Sequence, residues 1–201
     1  MRIPVLGLVI VFTALSASAG AQDADNRLTL DLYLEYEDVS GPRLSPDGQR
    51  VIYSRQWIDK VNDKRESSLW IMDVDGSRNR FLVEGSGARW SPSGDRIAFV
   101  ADGEPEGSQI FVRWMDAEGA ITQITRVERG PGSLSWSPDG ELIAFTMTVQ
   151  EANTWPIDIP NAPEGATWTK SPRVIERLDY RQDRQGFTDD LFRHLFVVPA
   201  S

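Results

Sequence analysis

Three ten-residue segments of this chain repeat at one fixed interval. They are Leu44-Ser45-Pro46-Asp47-Gly48-Gln49-Arg50-Val51-Ile52-Tyr53, Trp90-Ser91-Pro92-Ser93-Gly94-Asp95-Arg96-Ile97-Ala98-Phe99 and Trp136-Ser137-Pro138-Asp139-Gly140-Glu141-Leu142-Ile143-Ala144-Phe145. Their serines, Ser45, Ser91 and Ser137, stand 46 residues apart in both intervals. A period of that size means that one supersecondary unit is built three times and that each unit hides its apolar surface against the next. The fold of the whole chain is constrained by this requirement.

The local chemistry of one copy is a turn followed by a strand. Pro46, Pro92 and Pro138 fix φ for the second position of a type I turn, Asp47, Ser93 or Asp139 follows, and Gly48, Gly94 and Gly140 take the position where a side chain is awkward. The runs after the turn, Val51 to Tyr53, Ile97 to Val100 and Leu142 to Phe145, are short, β-branched and aromatic, the pattern of a strand buried on both faces. Third strands are expected at Leu69–Val74 and Ile110–Met115. Turn signals at Asp75-Gly76 and Glu118-Gly119 lead to fourth strands around Arg80–Val83 and Ile121–Ile124. Four-stranded antiparallel units of this length, unable to bury both faces alone, stack radially as β-propeller blades.

The third unit is longer. From Ser137 to its third-strand candidate, Leu195, is 58 residues, against 24 from Ser45 to Leu69 and 19 from Ser91 to Ile110. An insertion is therefore expected at about 150–193, and Pro156, Pro160, Pro163 and Pro172 make its first part an extended loop. Aligning Leu195 with Leu69 sets Ser201 opposite Asp75, so the fourth strand of this blade is not expected within the chain. The fold class expected is all-β, a partial β-propeller of about two and three-quarter blades, open and incomplete. Its domains are a leader at 1–21, a lead-in segment at 22–40 and the blades at 41–201. Because closed rings leave only short protected edges, such a chain is expected to be the front part of a longer protein with poor stability alone. A soluble, monomeric, cooperatively melting chain would overturn that expectation.

The Ser-Pro-Asp-Gly-x-x-Ile-Ala-Phe pattern resembles the WD40-like propeller repeat of the TolB type. The run Val39-Ser40-Gly41-Pro42-Arg43-Leu44-Ser45-Pro46-Asp47-Gly48 after a leader resembles the start of the propeller in family S9 serine peptidases, the prolyl oligopeptidase, acylaminoacyl-peptidase and dipeptidyl aminopeptidase group. Arg173-Val174-Ile175-Glu176-Arg177-Leu178-Asp179-Tyr180-Arg181, Gly186-Phe187 and His194-Leu195-Phe196-Val197-Val198 are similar to the third-blade insertion of its acylaminoacyl-peptidase-like branch. The resemblance implies peptide hydrolysis by a Ser-Asp-His triad on a C-terminal α/β-hydrolase domain that this chain does not contain. It also implies a propeller that admits short or unfolded peptides to that site. On this reading the chain is not catalytic, needs no cofactor, and meets peptide substrates through the missing domain. The alternative is a TolB-like periplasmic module whose top face docks a protein partner.

Other features bear on location and chemistry. Met1-Arg2, the apolar run Ile3 to Leu15 and the small residues Ser16 to Ala21 read as a secretory signal peptide with Ala-x-Ala sites ending at Ala19 and Ala21. The run is well short of the roughly twenty residues that span a bilayer. The mature protein is therefore expected to be periplasmic or extracellular, with no membrane association. There are 30 Asp+Glu against 21 Lys+Arg, a formal net charge of -9, which argues against nucleic-acid binding. With no Cys, disulfides and thiol chemistry are excluded, and stability outside the cytoplasm must come from packing.

The chain offers little catalytic chemistry of its own. No Gly-x-Ser-x-Gly elbow exists; Gly85-Ser86-Gly87 has the wrong spacing and reads as an inter-blade turn. His194, the sole histidine, has no serine at motif spacing. Asp73-Val74-Asp75-Gly76 fails as a calcium loop because Ile71 would stand at the first ligand position. Carboxylate pairs such as Glu35 and Glu37, or Asp189-Asp190, read as solvated surface. Trp70, Trp90, Trp114 and Trp136 are expected in inter-blade packing, while Trp57, Trp155 and Trp168 lie outside the motif. Lys170, Arg173, Arg177, Arg181, Arg184 and Arg193 form a basic segment with two readings. One is a solvated loop paired with Asp179, Asp183, Asp189 and Asp190; the other is an interface or gate in which Arg173, Arg177, Tyr180 and Arg181 reach across the propeller face. Residues 28–37 alternate like a strand, but the family resemblance favours a short helix with Thr29 as N-cap.

Overall fold

The computed structural model describes residues 28–116, 118–150, 160–169, 175, 178–183, 186–188 and 191–201. The leader, Arg173 and Arg177 lie outside them, as do Trp155, Lys170, Arg184, Asp189 and Asp190. The lead-in is helical: α1 spans Leu30–Leu34, and the Thr29 hydroxyl caps it by accepting from the Leu32 amide at 3.1 Å. No α1 residue is buried, and ion pairs from Glu35 to Lys60 (3.2 Å) and from Glu37 to Arg55 (2.5 Å) tie the segment just after it to the first blade.

The first blade comprises β1 (Asp38–Leu44), β2 (Arg50–Asp59), β3 (Lys64–Asp73) and β4 (Arg80–Glu84), paired antiparallel in sequence order. The second repeats it with β5 (Ser86–Trp90), β6 (Arg96–Gly103), β7 (Gly107–Trp114) and β8 (Ile121–Gln123). The third has β9 (Gly132–Trp136) and β10 (Leu142–Gln150); after the insertion, which carries a small separate hairpin of β11 (Arg181–Gln182) and β12 (Gly186–Phe187), β13 (Leu191–Pro199) pairs with β10. Ser54 faces Leu69, Val100 faces Ile110 and Thr146 faces Leu195. Leu195 is thus the structural equivalent of Leu69 and Ile110 despite the insertion. The sheets are stacked and none closes on itself. The fold is a partial β-propeller.

Strand periodicity decides which face each residue serves. Ile52, Leu69 and Ile71 leave the first blade on its forward face and meet Ala88, Ile97 and Phe99 of the second. Ala98, Ile110 and Val112 leave the second and meet Leu134, Ile143 and Phe145 of the third. The expectation that every second strand is buried on both faces holds only in the middle blade, where Ile97, Ala98 and Phe99 are all buried. In the first blade Ile52 is buried and its neighbours Val51 and Tyr53 are half-exposed, because that face has no blade against it. The third blade shows the reverse: Leu195 is 72% and Val197 58% exposed, where their equivalents Leu69 and Ile110, Ile71 and Val112 are buried. A strand has two buried faces only when blades lie on both sides.

This equivalence sets how much each leucine contributes to stability. In the 201-residue chain Leu69→Ala should destabilise by about 2–5 kcal/mol and Leu195→Ala by about 0.5 kcal/mol or less. Urea unfolding of the two variants checks this, and equal losses would mean that the forward face of the third blade is covered.

Candidate functional site

Antiparallel meanders put alternate connections at opposite ends of the stack. One end holds the three Ser-Pro-x-Gly turns. In the first, Ser45 pairs with Arg50 twice, its amide donating to the Arg50 carbonyl at 2.8 Å and its hydroxyl oxygen accepting from the Arg50 amide at 2.9 Å. The Ser45 hydroxyl donates to Asp47 at 2.5 Å, and Asp47 also accepts from the Gln49 amide at 3.0 Å. Ser137 and Asp139 repeat the arrangement with Leu142 and Glu141. The second turn has Ser93 where the others have Asp, and the carboxylate comes instead from Asp95, which accepts from both Ser91 (2.9 Å) and Ser93 (2.5 Å). Proline opens each turn and the glycines Gly48, Gly94 and Gly140 sit at φ of +70, +73 and +74, the left-handed region that glycine enters without strain.

These turns also join the blades, which the sequence pattern alone does not say. The Trp90 indole donates to the Arg43 carbonyl of the first blade at 3.1 Å, and Trp136 donates to the Arg89 carbonyl of the second at 3.0 Å. Arg50 lies over the Trp90 ring at 5.1 Å. Arg96 lies over Trp136 at 5.2 Å and over Trp114 at 5.0 Å, and donates to the Gly140 carbonyl at 2.9 Å. A Cβ on Gly94 would stand 3.2 Å from Pro46, so glycine also permits the close approach of neighbouring turns. The outward faces lack half of this joint: Leu44 stands at the tryptophan position of the first blade and Leu142 at the arginine position of the third. Trp114, 40% exposed at the end of β7 and covered by Arg96 of its own blade, departs from the expected inter-blade packing, and so does Trp70. Trp70 lies on the uncovered face of the first blade, edge-on to Phe81 at 6.3 Å and beneath Arg55 at 5.0 Å. Trp57 is half-buried, and Trp168 is exposed.

The opposite end carries the β2–β3 tip, the Glu104–Glu106 turn, the links from β4 to β5 and from β8 to β9, and the insertion. Tyr180 and Arg181 are brought together on the β11–β12 hairpin, where Phe187 stacks with Tyr180 at 6.1 Å and carries Arg181 at 5.8 Å. Of Gly85-Ser86-Gly87, Gly85 links the first two blades and Ser86 and Gly87 open β5. Exposed His194 stands in β13 opposite Met147, 6.4 Å from the Phe196 ring, with no hydroxyl or carboxylate bonded to it among the described residues. Asp73 is held by Arg78 at 2.5 Å in an ordinary hairpin turn. Sequence reasoning missed Gln109. Fully buried in β7, its side-chain amide donates to the Val127 and Pro105 carbonyls (2.8 and 3.2 Å), while its oxygen accepts from the Thr125 hydroxyl and the Val127 amide (3.0 and 2.9 Å). All its hydrogen-bonding capacity is spent fixing the turn and the β8–β9 link to the sheet. The one available signal was an amide opening the apolar run Ile110-Phe111-Val112.

This architecture defines the class: stacked, stapled propeller blades, with structural turns at one end and long connections at the other. Comparison with known proteins then shows what it is similar to. No family model matches the chain. It is 28% identical over 176 residues to an uncharacterised peptidase, YuxL, of Bacillus subtilis, covering 85% of this chain and 26% of that protein. It is 28% identical over 132 residues to dipeptidyl-peptidase 5 of Porphyromonas endodontalis, covering 63% and 18%. Acylaminoacyl peptidase of Pyrococcus horikoshii superposes with a TM-score of 0.62 at 18% identity over 83% of this chain and 24% of that one, a likeness of fold. The homologues of this chain are family S9 peptidases, and it spans about a quarter of the length of the first of them.

Two outcomes test the turn end. Arg96→Leu, which removes two ring contacts and a hydrogen bond, should cost about 1–3 kcal/mol in urea unfolding, and Arg50→Leu, with one ring contact, about 1 kcal/mol or less; equal costs would contradict the stapling. Hydroxyl and amide donors hold the Asp47 and Asp139 carboxyls below their ordinary value, the serine hydroxyl first in each. A depressed carboxylate pKa adds stability that is present above the unfolded value and lost as pH falls through the folded one. The double variant Asp47→Asn/Asp139→Asn should therefore lose less stability than the wild type between about pH 5 and pH 2, as read from thermal midpoints.

Proposed function

We propose that this chain is the substrate-gating propeller portion of an exported S9-like serine peptidase. The observation that carries the proposal is the similarity to a peptidase along 85% of the chain, together with an insertion of about 40 residues at the end where the long connections gather. Peptide-bond hydrolysis belongs, on this reading, to an α/β-hydrolase domain of the same protein. The propeller restricts access to that domain, so that size and extension of the peptide decide what is cleaved. Its own residues supply rigidity: the joints at the turn end hold the blades, and Gln109 fixes the connections at the other.

The apolar leader supports export to the periplasm or beyond. Tyr180 and Arg181, with Arg173 and Arg177 nearby in sequence, are the proposed gate residues facing the hydrolase domain or its entrance.

Intact mass of the native protein, detected with an antibody to residues 28–150, tests the reading. A species several times heavier than 22.5 kDa that reacts with a serine-directed fluorophosphonate is expected, with an N-terminus after Ala19 or Ala21. A mature species near 20 kDa without labelling would overturn it. Arg177→Ala with Arg181→Ala should shift selection between long and short peptides; unchanged kinetics on both would remove the gate role.

A further inference from the structure

A groove of about 420 Å³ lies between the first and second blades at the end with the long connections. Its size falls in the range of about 300–1,000 Å³ typical of sites for small ligands. Val83, Phe99, Phe111 and Ile121 line it with apolar surface, from β4, β6, β7 and β8. Its rim is polar and unevenly charged. Arg65 faces Asp38 at 3.7 Å and Glu66 holds Lys64 at 2.7 Å, so these charges cancel locally. Glu84 and Asp102 remain on the rim, both exposed, and neither has an ion pair or hydrogen-bonded side-chain partner among the described residues. Asp102 is felt by Lys64 only at a distance. Ser67, Ser86 and Ser108 also line the groove.

We infer that this groove is a binding site for an extended peptide segment in which an apolar side chain neighbours a lysine or arginine. The apolar side chain rests on Val83, Phe111 and Ile121, with buried Phe99 forming the floor beneath, and the cation meets Glu84 and Asp102. Charge complementarity selects the occupant: the two exposed carboxylates repel an anionic ligand and attract a cationic one, while a purely apolar ligand gains nothing from them. The inference deepens the proposed function, since peptides are the substrate class named there, but it requires no hydrolysis. It adds a preference in sequence to a filter otherwise based on size.

The test is fluorescence anisotropy on the protein purified at its native length. The probe is a fluorescein-labelled hexapeptide, Gly-Ser-Leu-Arg-Ser-Gly, beside two companions with serine in place of the leucine or of the arginine. Each companion should bind about tenfold more weakly. Glu84→Gln with Asp102→Asn should weaken the parent peptide about tenfold and flatten its salt dependence. Ile121→Lys, at a position 44% exposed, should weaken it at least as much while leaving the melting temperature close to that of the wild type. Parent affinity unchanged in both variants, equal binding of all three peptides, or no binding at millimolar protein overturns the site. Loss of serine-directed labelling, read separately, bears on the peptidase reading and not on this groove.

Discussion

The blade-to-blade joint is the interaction on which the rest depends. A four-stranded meander with apolar residues on its faces cannot be stable alone and must pack at least one face against a neighbour. The tryptophan before each serine and the arginine after each turn solve this locally. An indole N–H reaches a carbonyl of the preceding blade, and a guanidinium from that blade covers the same ring. The contact is directional, so it fixes the rotation between blades as well as their adhesion. Apolar packing of Ile52, Leu69 and Phe99 then supplies most of the area.

Burial across the three blades follows from that joint. The middle blade has a complete joint on both sides and, among the described residues, the most buried apolar side chains. The outer blades each keep one half, with leucine at the missing partner's position. Leu44 and Leu142 therefore mark faces of a different chemistry from the two internal ones, apolar where the internal joints combine cation, ring and carbonyl.

The two ends of the stack have divided roles. Short turns with internal hydrogen bonds occupy one end, where carboxylates held by serine hydroxyls make each turn self-sufficient. Everything variable in length is at the other end: the β2–β3 tip, the Gln109-fixed links, the insertion and the groove between the first two blades. Such a division lets recognition change without disturbing the blades, because inserted residues enter at connections and leave the registers of β10 and β13 intact.

The repeat, its turns, the strand order and the place of Leu195 after the insertion were all legible in the sequence, because they rest on local rules: proline and glycine geometry, alternation, and a constant period. The absence of a catalytic elbow was legible for the same reason. Burial was not, since whether Val51 or Val197 is covered depends on a neighbour that no local pattern specifies. Nor was the second use of Trp90, Trp136, Arg96 and Gly94 as a joint, or the role of Gln109, or the pairing of an apolar lining with Glu84 and Asp102. Those contacts bring together residues far apart in the chain, and only the stacking of one blade on the next decides which of them meet.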